Sequence, residues 1–199
     1  MNIRKLAVAT VATVAVAAVA AVGIGAAFAA SDDNDNSDTS QPFTFEVAEN
    51  GTRFAFDEAP VFDDGMPGYG NPFVTEGYIY EAGTLADGGG VNPDGSPTHP
   101  DAVIGTWICE GTLIGDGART ETGPWVVSTQ VFDFDEFDGE DAVITNGVEI
   151  SDIGEEVQRA IVGGTGEHVG ATGLQQQVLE AFNDSAGVNL SITFEPAED

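Results

Sequence analysis

From Gln41 onward, apolar and polar residues alternate with a period of two in one short stretch after another. Phe43, Phe45 and Val47 alternate with polar neighbours, and Phe54 and Phe56 repeat the spacing within 53–62. Such alternation sends successive side chains to opposite faces of an extended chain. Tyr78 and Tyr80 share a face within 73–84. Ile104, Thr106 and Ile108 oppose Trp107, Cys109 and Leu113 within 103–114. The pattern continues through 124–134 and 142–150, and Leu190, Ile192 and Phe194 close it within 189–195. Clusters of Gly, Pro, Asn and Asp separate the runs, as turns require. Many short strands with glycine-rich turns predict an all-β domain, a sandwich or a barrel. The connection 87–101 is too long for a hairpin and is expected to form a lid or rim over one end.

One passage interrupts the alternation. Leu174, Val178, Leu179 and Phe182 fall at i, i+4, i+5 and i+8, a helical spacing. The glycine-rich run RAIVGGTGEHVGATG, residues 159–173, stands just before it. Strand, glycine loop and helix together are the context of a dinucleotide-binding turn. The spacing argues against that reading. After Gly164-x-Gly166 the next glycine belongs at position 169, which is Val169, and Gly170 comes one residue late. No βαβ unit follows, and Glu167 stands where a pyrophosphate would favour cations. The glycines read instead as backbone devices. Gly163, Gly164 and Gly166 are expected to form a turn with positive φ, and Gly170 and Gly173 to permit close backbone approach.

Charge narrows the function. All 34 acidic residues lie after residue 30, against three arginines (Arg53, Arg119, Arg159) and no lysine, a charge of −31. A field of that sign repels phosphate backbones and anionic lipid, so no nucleic-acid or membrane-surface partner is expected. Self-repulsion of this size suits concentrated salt, where screening shortens to about 3 Å. Before this acidic body lies a leader: Arg4 and Lys5, an uncharged Ala/Val-rich run over 6–28, and a small-x-small site at Ala27-Phe28-Ala29. Residues 1–30 read as a signal peptide or N-terminal signal helix, and the protein as secreted; the alternative is an uncleaved membrane tether. Residues 31–41 are a polar, acidic, disordered tether, 42–196 the domain, and 197–199 an acidic tail. Cys109 is the only cysteine, so no intrachain disulfide exists.

The run over 159–173 followed by NLSITFE (189–195) resembles the dirigent and allene oxide cyclase barrel superfamily. Segments EGYIYEAGTL (76–85) and IGTWICEGTLIGDG (104–117) resemble a secreted prokaryotic branch of that group. The lysine-free acidic composition is similar to that of haloarchaeal proteins. The resemblance spans 43–195 and implies an eight-stranded antiparallel β-barrel that trimerises, with strands at 43–47, 74–82, 103–114, 125–134, 142–150, 157–162, 172–180 and 189–195. The segment 53–62 is a further candidate strand, and the helical spacing after Gly173 becomes accidental.

What the resemblance implies for chemistry is a small apolar or aromatic ligand inside the barrel, and a cofactor-free isomerase or cyclase. Glu46 and Cys109 stand loosely where cyclases of the group keep a carboxylate and a cysteine. Arg159, a rare cation in an acidic chain, reads either as a structural ion pair or as a group orienting a substrate carboxylate. Tyr78, Tyr80 and Trp107 read as pocket lining or as core. His99 and His168 have no second ligand at zinc spacing. Asp133, Asp135 and Asp138 resemble the start of a calcium loop with one residue too many, and read equally as a solvated hairpin. The other class of function is a non-catalytic extracellular module whose barrel is packed solid.

Overall fold

The computed structural model describes residues 41–134 and 138–197. The expected leader, the tether up to residue 40 and Asp135 lie outside the described residues. Nine strands form: β1 Phe43–Glu49, β2 Ala55–Phe56, β3 Pro72–Glu81, β4 Val103–Leu113, β5 Pro124–Asp133, β6 Ala142–Ile150, β7 Glu156–Gly164, β8 Gly173–Phe182 and β9 Val188–Pro196. From β3 to β9 each strand pairs antiparallel with the next, and β1 bridges β9 and β3. Eight strands therefore close into an up-and-down barrel, which removes the free edges of an open sheet. This is the architecture expected from the alternation and from the resemblance.

The ninth strand expected over 53–62 shrinks to β2. Because β1 occupies the edge of β3 from Gly77 to Glu81, β2 is confined to the start of that strand, where it pairs with Phe73 and Val74. The helical spacing after Gly173 is accidental: the passage is β8, with Gln175, Gln177 and Leu179 buried along one face. The glycine turn is corrected. Gly163 and Gly164 extend β7 and pair with Ile144 and Val143. The reversal begins at Thr165, and Gly166 takes φ +53 where a side chain would collide with the Glu140 carbonyl. Gly170 turns with φ +84 into open space, so it makes no close approach. Gly173 does, against the Glu195 carbonyl on β9.

Residues 85–102 do not cap an end of the barrel. They form a strap along the outer wall, because outward side chains of the strands capture its backbone. The Tyr80 hydroxyl donates to Gly90 O at 2.6 Å and the Tyr78 hydroxyl to Gly95 O at 2.9 Å. The Leu85 N–H donates to Glu46 Oε2, and the Asn50 and Asn189 amides donate to Gly95 O and Gly89 O. Asn183 completes this corner, donating to Glu49 O and Asn189 Oδ1. Ala48, Tyr80, Leu85 and Val91 are buried beneath the strap as a second small core.

The main core is the barrel interior, and it has two unlike walls. Along β9, β1 and β3 the inward positions are mainly apolar, among them Leu190, Ile192, Phe194, Phe45, Val47 and Ile79, with Glu49 and Thr75 the buried polar exceptions. At one end Phe45 packs edge-to-face on Phe132, Phe134 and Phe194, with centroids 5.0–5.4 Å apart. Burial of each such ring contributes about 1.5–3 kcal/mol. Along β5 to β8 the inward positions mix Val126, Phe132, Val143, Ile161 and Leu179 with a polar cluster of Ser128, Gln130, Thr145, Glu149, Arg159, Gln175 and Gln177, all buried.

Candidate functional site

Strand register assembles the polar cluster. Gly147 on β6 stands opposite Ser128 on β5, and Gln175 on β8 stands opposite Arg159 on β7. A side chain on Gly147 would lie 3.1 Å from Arg159 Cγ. The arginine stem thus crosses β6 over a glycine, where a Cβ would press on it. Its guanidinium reaches β5, donating from Nη2 to Ser128 O and Oγ, each at 3.0 Å, and from Nη1 to Val148 O at 3.1 Å.

Glu149 is the counter-ion, with Oε1 at 3.7 Å from Arg159 Nη1. Its Oε1 also accepts from Ser128 Oγ at 2.5 Å and from Cys109 Sγ at 3.5 Å, and its Oε2 accepts from Gln177 Nε2 at 3.1 Å. Gln177 in turn accepts from Gln130 and Gln175, and Gln130 accepts from Gln175. A buried pair of this kind rarely adds net stability, because desolvation offsets its attraction. The network holds it in place by satisfying the remaining lone pairs.

Burial lowers the affinity of Arg159 for its proton, and Glu149 opposes that effect. Burial pushes the Cys109 thiol well above its usual range, and Glu149 pushes it further. Cys109 is therefore a protonated donor rather than a thiolate nucleophile. Burial also raises the Glu49 carboxyl, opposed by the Val188 N–H, which donates to it at 2.9 Å, and by the Thr75 hydroxyl.

Among the described residues, the polar atoms on this interior that have no hydrogen-bond partner within the protein include Arg159 Nε, Gln175 Oε1, Trp107 Nε1 and Thr145 Oγ1. Each would cost about 1–3 kcal/mol if left dry. Native interiors satisfy such atoms with water or a bound molecule.

The candidate residues from the sequence divide accordingly. Cys109 and Arg159 meet at Glu149, and Trp107 lies on the same interior. Glu46 points outward and holds the strap; the inward carboxyl of β1 is Glu49. Tyr78 and Tyr80 also face outward, beneath the strap. Asp133 is buried and accepts from the Gly139 N–H, while Asp138 accepts from the Glu140 N–H. Among the described residues no group of three or more His, Cys, Asp or Glu side chains is placed to hold a metal. His168 lies 3.7 Å from Asp141, and the His99 ring packs on Tyr80. Glu149, Ser128 and the three glutamines were not singled out from sequence. Their signal is parity: Thr145, Gly147 and Glu149 share a face with Val143, and Gln175 and Gln177 share one with Leu179. A separate cleft of about 210 Å³ opens on the outer wall, lined by Asn50, Glu76, Gly77, Tyr78 and Thr106.

No family model and no curated protein matches the chain. Solved structures do. A pterocarpan synthase dirigent protein aligns at 17% identity with a TM-score of 0.52, over 80% of this chain and 96% of that one. A pyocyanin demethylase aligns at 11% identity and a TM-score of 0.49, over 79% of this chain and 100% of that one. A Diels-Alderase from Streptomyces koyangensis aligns at 12% and 0.44, over 81% and 71%. The likeness to the dirigent protein is one of fold alone: the chain has a dirigent-like barrel fold.

Proposed function

We propose that this is an exported, salt-adapted barrel that takes one small molecule with an apolar or aromatic body into its interior. The observation carrying this reading is the set of buried, unpartnered polar atoms, Arg159 Nε and Gln175 Oε1 among them, on an interior otherwise lined largely by apolar side chains. That combination is the usual design of a small-molecule site: mostly apolar lining with a few convergent polar groups. Fold likeness by itself chooses no substrate. The chemistry on offer is positioning and electrostatics without a cofactor, as in an isomerisation or cyclisation. Phe45, Ile192 and Leu190 would orient the body. The N–H groups of Arg159 and Trp107 would stabilise an oxygen on which negative charge develops. Glu149, already accepting from three donors and ion-paired with Arg159, positions Arg159 and is not the base.

The packed, non-catalytic module remains the second reading. It is favoured by the phenylalanine packing at one end and by a cleft that opens outside the wall rather than within it. Native mass spectrometry of the protein, purified at high salt and exchanged into molar ammonium acetate, separates the two. A ligand-binding barrel carries the excess mass of a small organic molecule, released on unfolding. A chain mass alone, unchanged after incubation with hydrophobic extracts of the source medium, supports the packed module. The same spectrum reads the homotrimer that the resemblance implies.

A further inference from the structure

The partners already taken by Arg159 restrict the head group of the ligand. Both Nη groups are committed to Ser128, Val148 and Glu149, so only the single Nε–H remains. One donor cannot form the two-pronged fork with which arginine grips a carboxylate. The guanidinium charge is already matched by Glu149, and the chain around it carries −31 after its leader. An anionic head would therefore enter with no uncommitted cation to meet it, at the usual penalty for burying an unpaired charge. Directly across the β7–β8 pairing stands Gln175, whose Oε1 is a free acceptor while its amide donates to Gln130 and Gln177. Both side chains are fully buried. A lone donor and a lone acceptor thus sit on opposed residues of neighbouring strands.

Resting on the ligand-binding reading above, we propose that the barrel selects a neutral head group that both donates and accepts a hydrogen bond, such as a hydroxyl or a primary amide, and rejects carboxylates. The head accepts from Arg159 Nε–H and donates to Gln175 Oε1. A site built around such a pair also rejects an analogue that lacks the donor, because Gln175 Oε1 is then left buried and unpaired.

The test uses the full chain at high salt with four probes on one naphthalene body: the hydroxymethyl compound, the primary amide, the methyl ether and the carboxylate. Binding is read by calorimetry near neutral pH. The hydroxymethyl and amide probes are expected to bind about tenfold or more tighter than the ether and the carboxylate. In Arg159→Lys, which keeps the charge but lacks Nε–H, and in Gln175→Leu, that preference collapses. Binding of the ether or carboxylate as tight as that of the hydroxymethyl probe overturns the head-group assignment and leaves the ligand-binding reading standing. Binding of no probe overturns both. Because the preference is measured first on the unaltered protein, a variant that fails to fold leaves the test intact.

Discussion

Glu46 and Glu49 lie three residues apart on β1 and have opposite fates. Phe45 and Val47 face inward, so parity places Glu46 outside and Glu49 within. The alternation already contained that distinction, whereas resemblance pointed to the outward residue. Glu149 and the glutamines escaped notice for a related reason. Alternation sorts apolar residues inward, and a polar residue at an inward position is recognised only once its strand has been assigned. Glu49 carries a pH signature. Its folded-state pKa lies above the unfolded value, so the folded state holds the proton more tightly. That contribution is complete below the unfolded pKa and lost as pH rises through the folded one. Glu49→Gln keeps an acceptor for the Val188 N–H and removes the buried charge. The variant is expected to be more stable than the parent at about pH 7.5, and to lose that margin towards about pH 4.5. Urea unfolding at fixed high salt checks this; an equal loss at both pH values would refute it.

Among the elements, the strands were readable and the strap was not. Period-two runs located six of the eight barrel strands, because one buried face imposes the pattern, and the resemblance supplied β7 and β8. The strap has no period; side chains of other elements hold it, and no local pattern announces them. Glycine chemistry was half readable: the reversal after β7 was visible, but pairing with β6 carries Gly163 and Gly164 into the strand. Tyr80 is the principal anchor of the strap. Burial pushes its phenol to about 12, so it remains a donor to Gly90. Tyr80→Phe should cost about 1 kcal/mol and speed amide hydrogen exchange across 88–96, leaving β5 to β8 unaffected. Uniform acceleration over the whole barrel would show that the strap has no separate stability.

For the whole molecule, charge and topology pull in opposite directions. A closed barrel is rigid and compact, while a charge of −31 after the leader acts to expand it. Lowering KCl from about 3 M to about 0.1 M lengthens screening to ~10 Å and is expected to depress the melting temperature steeply. Replacing the salt with sucrose at equal osmolality should fail to restore it if screening is the cause. The corner that anchors the strap has one further consequence, for covalent modification. Asn50-Gly51-Thr52, Asn183-Asp184-Ser185 and Asn189-Leu190-Ser191 are the three N-x-S/T glycan acceptor sequons of the chain. All three asparagines are buried, and each amide nitrogen already donates within the fold. An oligosaccharide transferase that meets the folded barrel finds no acceptor, so sugar on any of the three would mark a chain modified before it folded.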